Sequence, residues 1–330
     1  MLTFGLLGCG RIGQIHGRNI AAHPGASLVA VADALPHAAD AFAGTTGSAA
    51  RSVDDILSAG DIDAVVICTP TDTHSQLIEK AAAAGKAIFC EKPVDLNSQR
   101  IRDTLSRTGG VPLMIGFNRR FDPNFASLRA RIEDGLIGDV ELVTILSRDP
   151  GPPPVSYIKS SGGLFRDMTI HDFDMARFLL GEEVEEVHAV GSCLVDAAIG
   201  EAGDIDTAAV LLKTASGKIA QISNSRRATY GYDQRIEVHG AKGLLKAENL
   251  HRTTVVLANA AGVSADPVQD FFLERYAEAY RRELSHFIDA VTSGRKPSPT
   301  GEDGLKAGLL ADAATRSHES GRPVKLADLG

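Results

Sequence analysis

Near the start of the chain, Gly8-Cys9-Gly10-Arg11-Ile12-Gly13 follows the spacing G-x-G-x-x-G. That spacing has a physical use when a strand feeds it and a helix leaves it. Glycines allow the tight turn, the close approach of backbone to a pyrophosphate and the packing of helix on strand, while the helix N-terminus offers N–H groups and a positive dipole end to the anion. Alone the pattern is weak. Its acidic partner strengthens it: twenty residues after Gly13, the β-rich run SLVAVAD ends in Asp33, placed to accept from a ribose 2′-hydroxyl. A 2′-phosphate would face that carboxylate, and Ala34, Leu35 and Pro36 supply no Arg to neutralise it, so NAD is expected over NADP. FAD is the lesser expectation, because the chain has no Trp and only 5% aromatic residues to flank a flavin.

Two further stretches follow β-like runs. Thr69-Pro70-Thr71-Asp72-Thr73-His74 follows the run at 64–68, and Glu91-Lys92-Pro93 follows the one at 87–90. Both then fall at the carboxyl edge of a parallel sheet, where open α/β folds bind ligands. The expected cofactor set is therefore Gly8, Gly10, Arg11, Ile12, Gly13, Asp33, Thr69, Pro70, His74, Glu91 and Lys92. A Lys in that place can donate to a substrate oxygen or relay a proton; the bland alternative is a solvated surface turn.

Later, Asp167-Met168-Thr169-Ile170-His171-Asp172-Phe173-Asp174 opens a helical pattern. At about 100° per residue, Asp167 and His171 lie roughly 40° apart on the stripe that carries Met168, Met175 and Phe178. An Asp at i can accept the ring N–H of a His at i+4 and leave the other nitrogen free to take a proton. The alternative is a core histidine capped by a carboxylate. A metal site from Asp167, His171, Asp172 and Asp174 is not expected, since no second His stands at a matching spacing. His16, His74 and His188 read as surface residues or cofactor neighbours. Cys9, Cys68, Cys90 and Cys193 are too scattered for a disulfide framework or metal site and read as reduced thiols.

These residues need a scaffold. The first third alternates strands at 3–8, 27–33, 64–68, 87–90 and 113–116 with helices at 12–22, 72–84 and 97–107, the signature of βαβ units on a doubly wound parallel sheet. Most of these strands lack in/out alternation, as strands covered on both faces do. The remainder reads as α+β: a helix at 124–135, then strands at 140–148, 184–194, 208–213, 218–224, 234–239 and 253–257, with Ser216-Gly217 as a hairpin turn. Short links imply a largely antiparallel sheet, covered by helices at 267–293 and 301–320. GPPP at 151–154 and SSGG at 160–163 mark a long loop that would shape the pocket. The expected domains are 1–119, binding NAD, and 120–330, binding substrate and forming the oligomer, with the C-terminal helix able to return to the first domain.

Length and charge agree with this division. At 330 residues, with 44% hydrophobic and 23% charged residues, the chain can close two cores. A formal charge of −8 repels nucleic acid and anionic membrane surfaces alike. No run approaches the roughly 20 apolar residues of a membrane helix, and the N-terminus lacks a basic, cleavable leader. A cytoplasmic protein is expected.

GLLGCGRIG, AVVICTPTDTH, FCEKP, GFNRRFD and GGLFRDMTIHDFDMARFLLG together resemble the glucose-fructose oxidoreductase/inositol dehydrogenase/rhizopine catabolism family over essentially the whole chain. The resemblance is closest to its bacterial inositol dehydrogenase branch. It implies a Rossmann domain followed by an open antiparallel-sheet domain, NAD as hydride acceptor, oxidation of myo-inositol to 2-keto-myo-inositol, and a homotetramer associating through the sheets. It further implies that Lys92 stands near the reacting hydroxyl, that Asp167 and His171 form the acid/base pair, that a cis peptide precedes Pro93, and that Arg119 and Tyr232 line the polyol pocket. Asn118 occupies a position where relatives vary. Two rivals stand beside this reading: another inositol isomer or sugar as substrate, or a dinucleotide-sensing binding protein without turnover.

Overall fold

The computed structural model describes residues 1–329, in two compact units: Met1–Asn118 with Ala279–Gly308, and Arg119–Glu278 with the segment from Leu309 onward. Among the described residues, no helix is long and apolar enough to cross a membrane.

The first unit is a Rossmann sheet of six parallel strands, β1 (Leu2–Leu7), β2 (Ala26–Ala32), β3 (Ala49–Ala50), β4 (Ala64–Ile67), β5 (Ala87–Glu91) and β6 (Leu113–Gly116), in the order β3-β2-β1-β4-β5-β6. Between them run α1 (Arg11–Ala22), α2 (Pro36–Thr46), α3 (Val53–Ser58), α4 (His74–Ala83) and α5 (Ser98–Ser106). Every residue of β4 and β6 is buried, so these strands read as continuous apolar runs. Register pairs Leu7 with Ala32 and Ile67, Ile67 with Cys90, and Glu91 with Gly116. The residues that follow β1, β2, β4, β5 and β6 therefore share one edge of the sheet.

Several expected boundaries shift. Residues 72–84 divide into a 3-10 turn, Thr71–Thr73, and α4. Helices α2 and α3 have no counterpart in the sequence expectation; α2 is alanine-rich and buries only Ala39, Phe42 and Ala43. The helical pattern at 267–293 does not cover the second sheet as expected, because Ala279 onward clusters with the first unit. Phe287 from that stretch lies 6.1 Å from the Phe4 ring and 5.8 Å from Phe89, both fully buried in the parallel sheet. Three aromatic rings bury enough apolar area to fix the helix there.

The second unit holds α6 (Pro123–Glu133), β7 (Val140–Arg148), α7 (Val155–Ser161), α8 (Gly163–Asp167), α9 (Thr169–Leu180), β8 (Val184–Ser192), α10 (Ala197–Glu201), β9 (Thr207–Thr214), β10 (Ile219–Ser225), β11 (Asp233–Gly240), β12 (Gly243–Ala247), β13 (Val256–Asn259), β14 (Gly262–Ala265) and α11 (Phe272–Arg275). The chain then enters α12 (Ala277–Thr292) and α13 (Gly301–Ser320) and ends in β15 (Val324–Lys325) and a 3-10 turn. The main sheet runs β12-β11-β7-β10-β9-β8-β15. Only β7 and β10 pair in parallel; every other neighbour is antiparallel. Strand β9 alternates buried and exposed residues, as a sheet with one covered face requires, and α9 packs against β7 and β10.

Three expectations change here. The strand expected at 253–257 is β13, which pairs with β14 alone as a separate hairpin. The long loop expected at 151–163 contains α7, because Pro154 supplies an extended residue just before the first turn. The helical pattern from Asp167 onward is broken at Met168, which caps α9, so Asp167 closes α8 instead of opening the next helix.

Candidate functional site

In the first unit the glycine motif sits between β1 and α1, and each glycine has a distinct reason to be there. Gly8 adopts φ +96, and a Cβ on it would meet the Cys68 carbonyl oxygen at 2.6 Å. A Cβ on Gly13 would strike the Gly8 carbonyl oxygen at 1.9 Å. Gly10 has nothing within 4 Å of its would-be Cβ, which leaves an open face for a ligand. It is also the N-cap of α1, where no side chain caps the helix and no acid occupies the first turn. A pyrophosphate fits that set of N–H donors. Arg11 and Ile12 begin α1, the first exposed and the second half-buried.

Asp33 follows β2. Its Oδ2 accepts the Cys9 N–H at 2.7 Å and its Oδ1 accepts the Leu35 N–H at 2.9 Å. The carboxylate is thereby fixed beside the glycine turn. Burial, helped by the Asp33 charge, pushes the Cys9 thiol up to about 11, so that sulfur is not a nucleophile.

On the next strands, Thr69 and Pro70 lead into a 3-10 turn, with the Thr69 hydroxyl 2.6 Å from that of Thr73. His74 is buried, not a surface residue. Its Nδ1 lies 2.8 Å from the Pro93 carbonyl oxygen and its Nε2 2.8 Å from that of Thr69. One ring thus ties together two loops of the sheet edge. The Lys92-Pro93 peptide is cis. Glu91, half-buried, meets His16 Nε2 at 2.7 Å, and His16 is fully buried rather than exposed. Lys92 is half-buried.

In the second unit Asp167 ends α8 and His171 lies in the first turn of α9, both half-buried. Asp167 Oδ1 accepts the Tyr157 hydroxyl at 2.9 Å, and Oδ2 lies 3.4 Å from both terminal nitrogens of Arg226. Arg226 is 1% exposed, with Asp204 3.9 Å away. Asp149, just beyond β7, is pushed up to about 6, chiefly by burial, with Arg226 opposing and Asp167 adding to the shift.

Arg119 is buried and engaged internally. It donates to Asp172 Oδ1 at 2.5 Å and to the Ser147 hydroxyl at 3.3 Å, and its guanidinium lies 5.7 Å from the Tyr276 ring centre. Asp172 also accepts Asn224 at 2.8 Å. Burial raises the Asp172 carboxyl against the pull of Arg119 and Asn224. Tyr232 is buried edge-on to Tyr276 at 6.0 Å, and burial, with Tyr276, raises its hydroxyl well above the usual range. Arg120 pairs with Asp174 through two nitrogens, at 2.8 and 2.6 Å.

Sequence reasoning does not single out Tyr157, Arg226 or Asp149. Tyr157 lies in a helix hidden behind GPPP, and nothing in Asn224-Ser225-Arg226-Arg227 distinguishes a buried Arg from its exposed neighbour. The placement of Asp149 and Arg226 comes from the fold: β7 and β10 run parallel side by side, Ser225 opposite Arg148, so the two residues follow a matched pair.

Comparison with known proteins gives matches over both units. Residues 2–117 match the family model described as the oxidoreductase family, NAD-binding Rossmann fold, and residues 129–326 match the oxidoreductase family, C-terminal alpha/beta domain. Over 328 residues the chain is 58% identical to an inositol 2-dehydrogenase of Rhizobium meliloti, covering 99% of each. It is 47% identical to a myo-inositol 2-dehydrogenase of Thermotoga maritima, again over 99% of each. Among solved structures, scyllo-inositol dehydrogenase of Lactobacillus casei with bound NAD(H) and scyllo-inositol matches at TM-score 0.91 and 33% identity, over 99% of both chains.

Proposed function

The chain belongs to the oxidoreductase family that joins an NAD-binding Rossmann fold to a C-terminal alpha/beta domain, and on that premise we propose that it oxidises myo-inositol to 2-keto-myo-inositol with NAD. The observation that carries the substrate is the 58% identity, end to end, with an inositol 2-dehydrogenase. The chain's own residues suit the cofactor: Asp33 is held for the ribose, and the α1 N-terminus is uncapped for the pyrophosphate.

NAD, when bound, supplies the hydride acceptor. His171 takes the hydroxyl proton, Asp167 orients it, and Lys92 polarises the same oxygen or relays the proton. Tyr157 and Arg226 support this assignment by keeping the Asp167 carboxylate fixed. Arg119 and Tyr232 border the polyol, Arg119 through the Asp172 and Ser147 network it organises.

A second substrate reading, scyllo-inositol, is favoured by the Lactobacillus casei enzyme that holds that isomer. The chain works in the cytoplasm as a homotetramer, with no nucleic-acid or membrane partner. Association through the open sheet is supported by the exposed Leu142, Val190, Leu211 and Ile219 on β7, β8, β9 and β10. Growth of NADH absorbance with a panel of inositols and sugars tests the function. Turnover led by myo-inositol is expected; NADH binding with no turnover of any polyol would leave a dinucleotide-sensing protein.

A further inference from the structure

Beneath the sheet edge of the first unit lies a cluster that the proposed chemistry does not use. His16 on α1 and Glu283 on α12 are both 0% exposed, and Glu91 ends β5 immediately before Lys92. It is the sole group of three or more His, Cys, Asp or Glu among the described residues whose candidate ligand atoms all lie within 4.8 Å of one another. Its distances describe a hydrogen bond: His16 Nε2 is 2.7 Å from Glu91 Oε1 and 3.9 Å from Glu283 Oε1.

The proton can be placed from the surroundings. His16 Nδ1 is buried and meets no acceptor among the described residues, so an N–H there would be orphaned; the proton belongs on Nε2, donated to Glu91. Neither oxygen of Glu283 has a hydrogen-bond partner among the described residues. Full burial, with the nearby Glu91 charge, holds its carboxyl well above the usual range. The Glu91 carboxylate is also cradled: a Cβ on Gly116 of β6 would come within 3.1 Å of its Cδ and both its oxygens. The rings of Phe89 and Tyr280, 4.9 and 5.6 Å from that of His16, close the remaining sides.

We propose that His16 is a positioning residue for the Glu91-Lys92-Pro93 turn, tying it through Glu91 to the helix that opens the dinucleotide motif. The tie matters because Lys92 is the next residue along the chain from the carboxylate His16 holds. Its catalytic consequence rests on the role proposed for Lys92; the mechanical tie does not.

The test uses the full-length protein with His16→Ala, His16→Gln and Gly116→Ala. The Gln amide can still donate where Nε2 does, whereas Ala at 116 displaces the carboxylate without touching His16. Hydrogen exchange across residues 87–95 in NAD-free protein should quicken about tenfold in His16→Ala and Gly116→Ala. With myo-inositol, kcat should fall roughly ten- to hundredfold in both, as for displaced catalytic groups. NADH affinity should stay within about threefold, and His16→Gln should recover at least half of the loss on a logarithmic scale. Unchanged exchange at 87–95 would overturn the proposal, as would a divalent ion bound one per chain, which would make the cluster a ligand set. If the parent oxidises no polyol the substrate reading falls, while the exchange result still decides this one.

Discussion

Asp33 Oδ2 accepts the backbone N–H of Cys9 at 2.7 Å, so the acid that follows the second strand is fastened to the middle of the glycine turn. One carboxylate therefore does two jobs: it shapes the turn, and it presents a negative charge where a ribose 2′-substituent would sit.

Replacing that carboxylate should change cofactor choice. Asp33→Ser removes both the 2′-hydroxyl partner and the anionic repulsion, so kcat/KM should fall for NAD and the NAD-over-NADP ratio should shrink by about tenfold or more. Steady-state kinetics with both cofactors measures this, and an unchanged ratio would contradict the ribose assignment.

The proton-handling residues should separate chemistry from binding. Lys92→Ala and His171→Ala should each lower kcat by roughly 10²- to 10⁴-fold, the range of general acid/base groups. NADH affinity, read by fluorescence, should barely change in His171→Ala, because the groups that hold adenosine and pyrophosphate are untouched. Asp167→Asn keeps the shape but loses the charge facing Arg226, and its defect should be smaller or comparable. Turnover by His171→Ala within about threefold of the parent would mark a merely structural histidine.

Activity should survive exhaustive chelation. The acids near His171 already carry cations: Asp172 holds Arg119, and Asp174 holds Arg120. Loss of turnover in EDTA, restored by one divalent ion, would show a metal role for this segment.

Glu283 should make stability fall at higher pH. Its folded carboxyl lies above the usual range, raised by burial and then by Glu91, so the folded state keeps a proton that the unfolded chain releases near pH 4.5. The stabilisation is complete below that value and is lost as pH rises toward the folded one. The titratable groups facing it are His16, Glu91 and Cys68. Urea midpoints at pH 5 and pH 8 should therefore differ less in Glu283→Gln than in the parent; an equal or larger difference would show that Glu283 is ionised.

The legible parts of this chain were those where local pattern and tertiary role coincide. A glycine motif between an apolar run and a helix, with an acid at the end of the next run, has one mechanical solution, and the fold has Gly8, Gly13 and Asp33 in it. Fully buried strands such as β4 announced themselves by unbroken hydrophobicity. What escaped depends on partners distant in sequence. The destination of residues 279–308 is set by Phe287 against Phe4, a contact 283 residues apart along the chain that no window shows. The break at Met168 hides in a continuous helical stripe. Arg226 and Glu283 are ionisable residues in buried places, and sequence statistics put such residues on the surface.

Hydride transfer from the inositol ring is the most direct thing to measure. With myo-inositol deuterated at C2 and NAD as acceptor, mass analysis of the reduced cofactor should find the deuterium in NADH, with 2-keto-myo-inositol as the paired product. Unlabelled NADH, or deuterium retained in the polyol product, would contradict oxidation at that carbon.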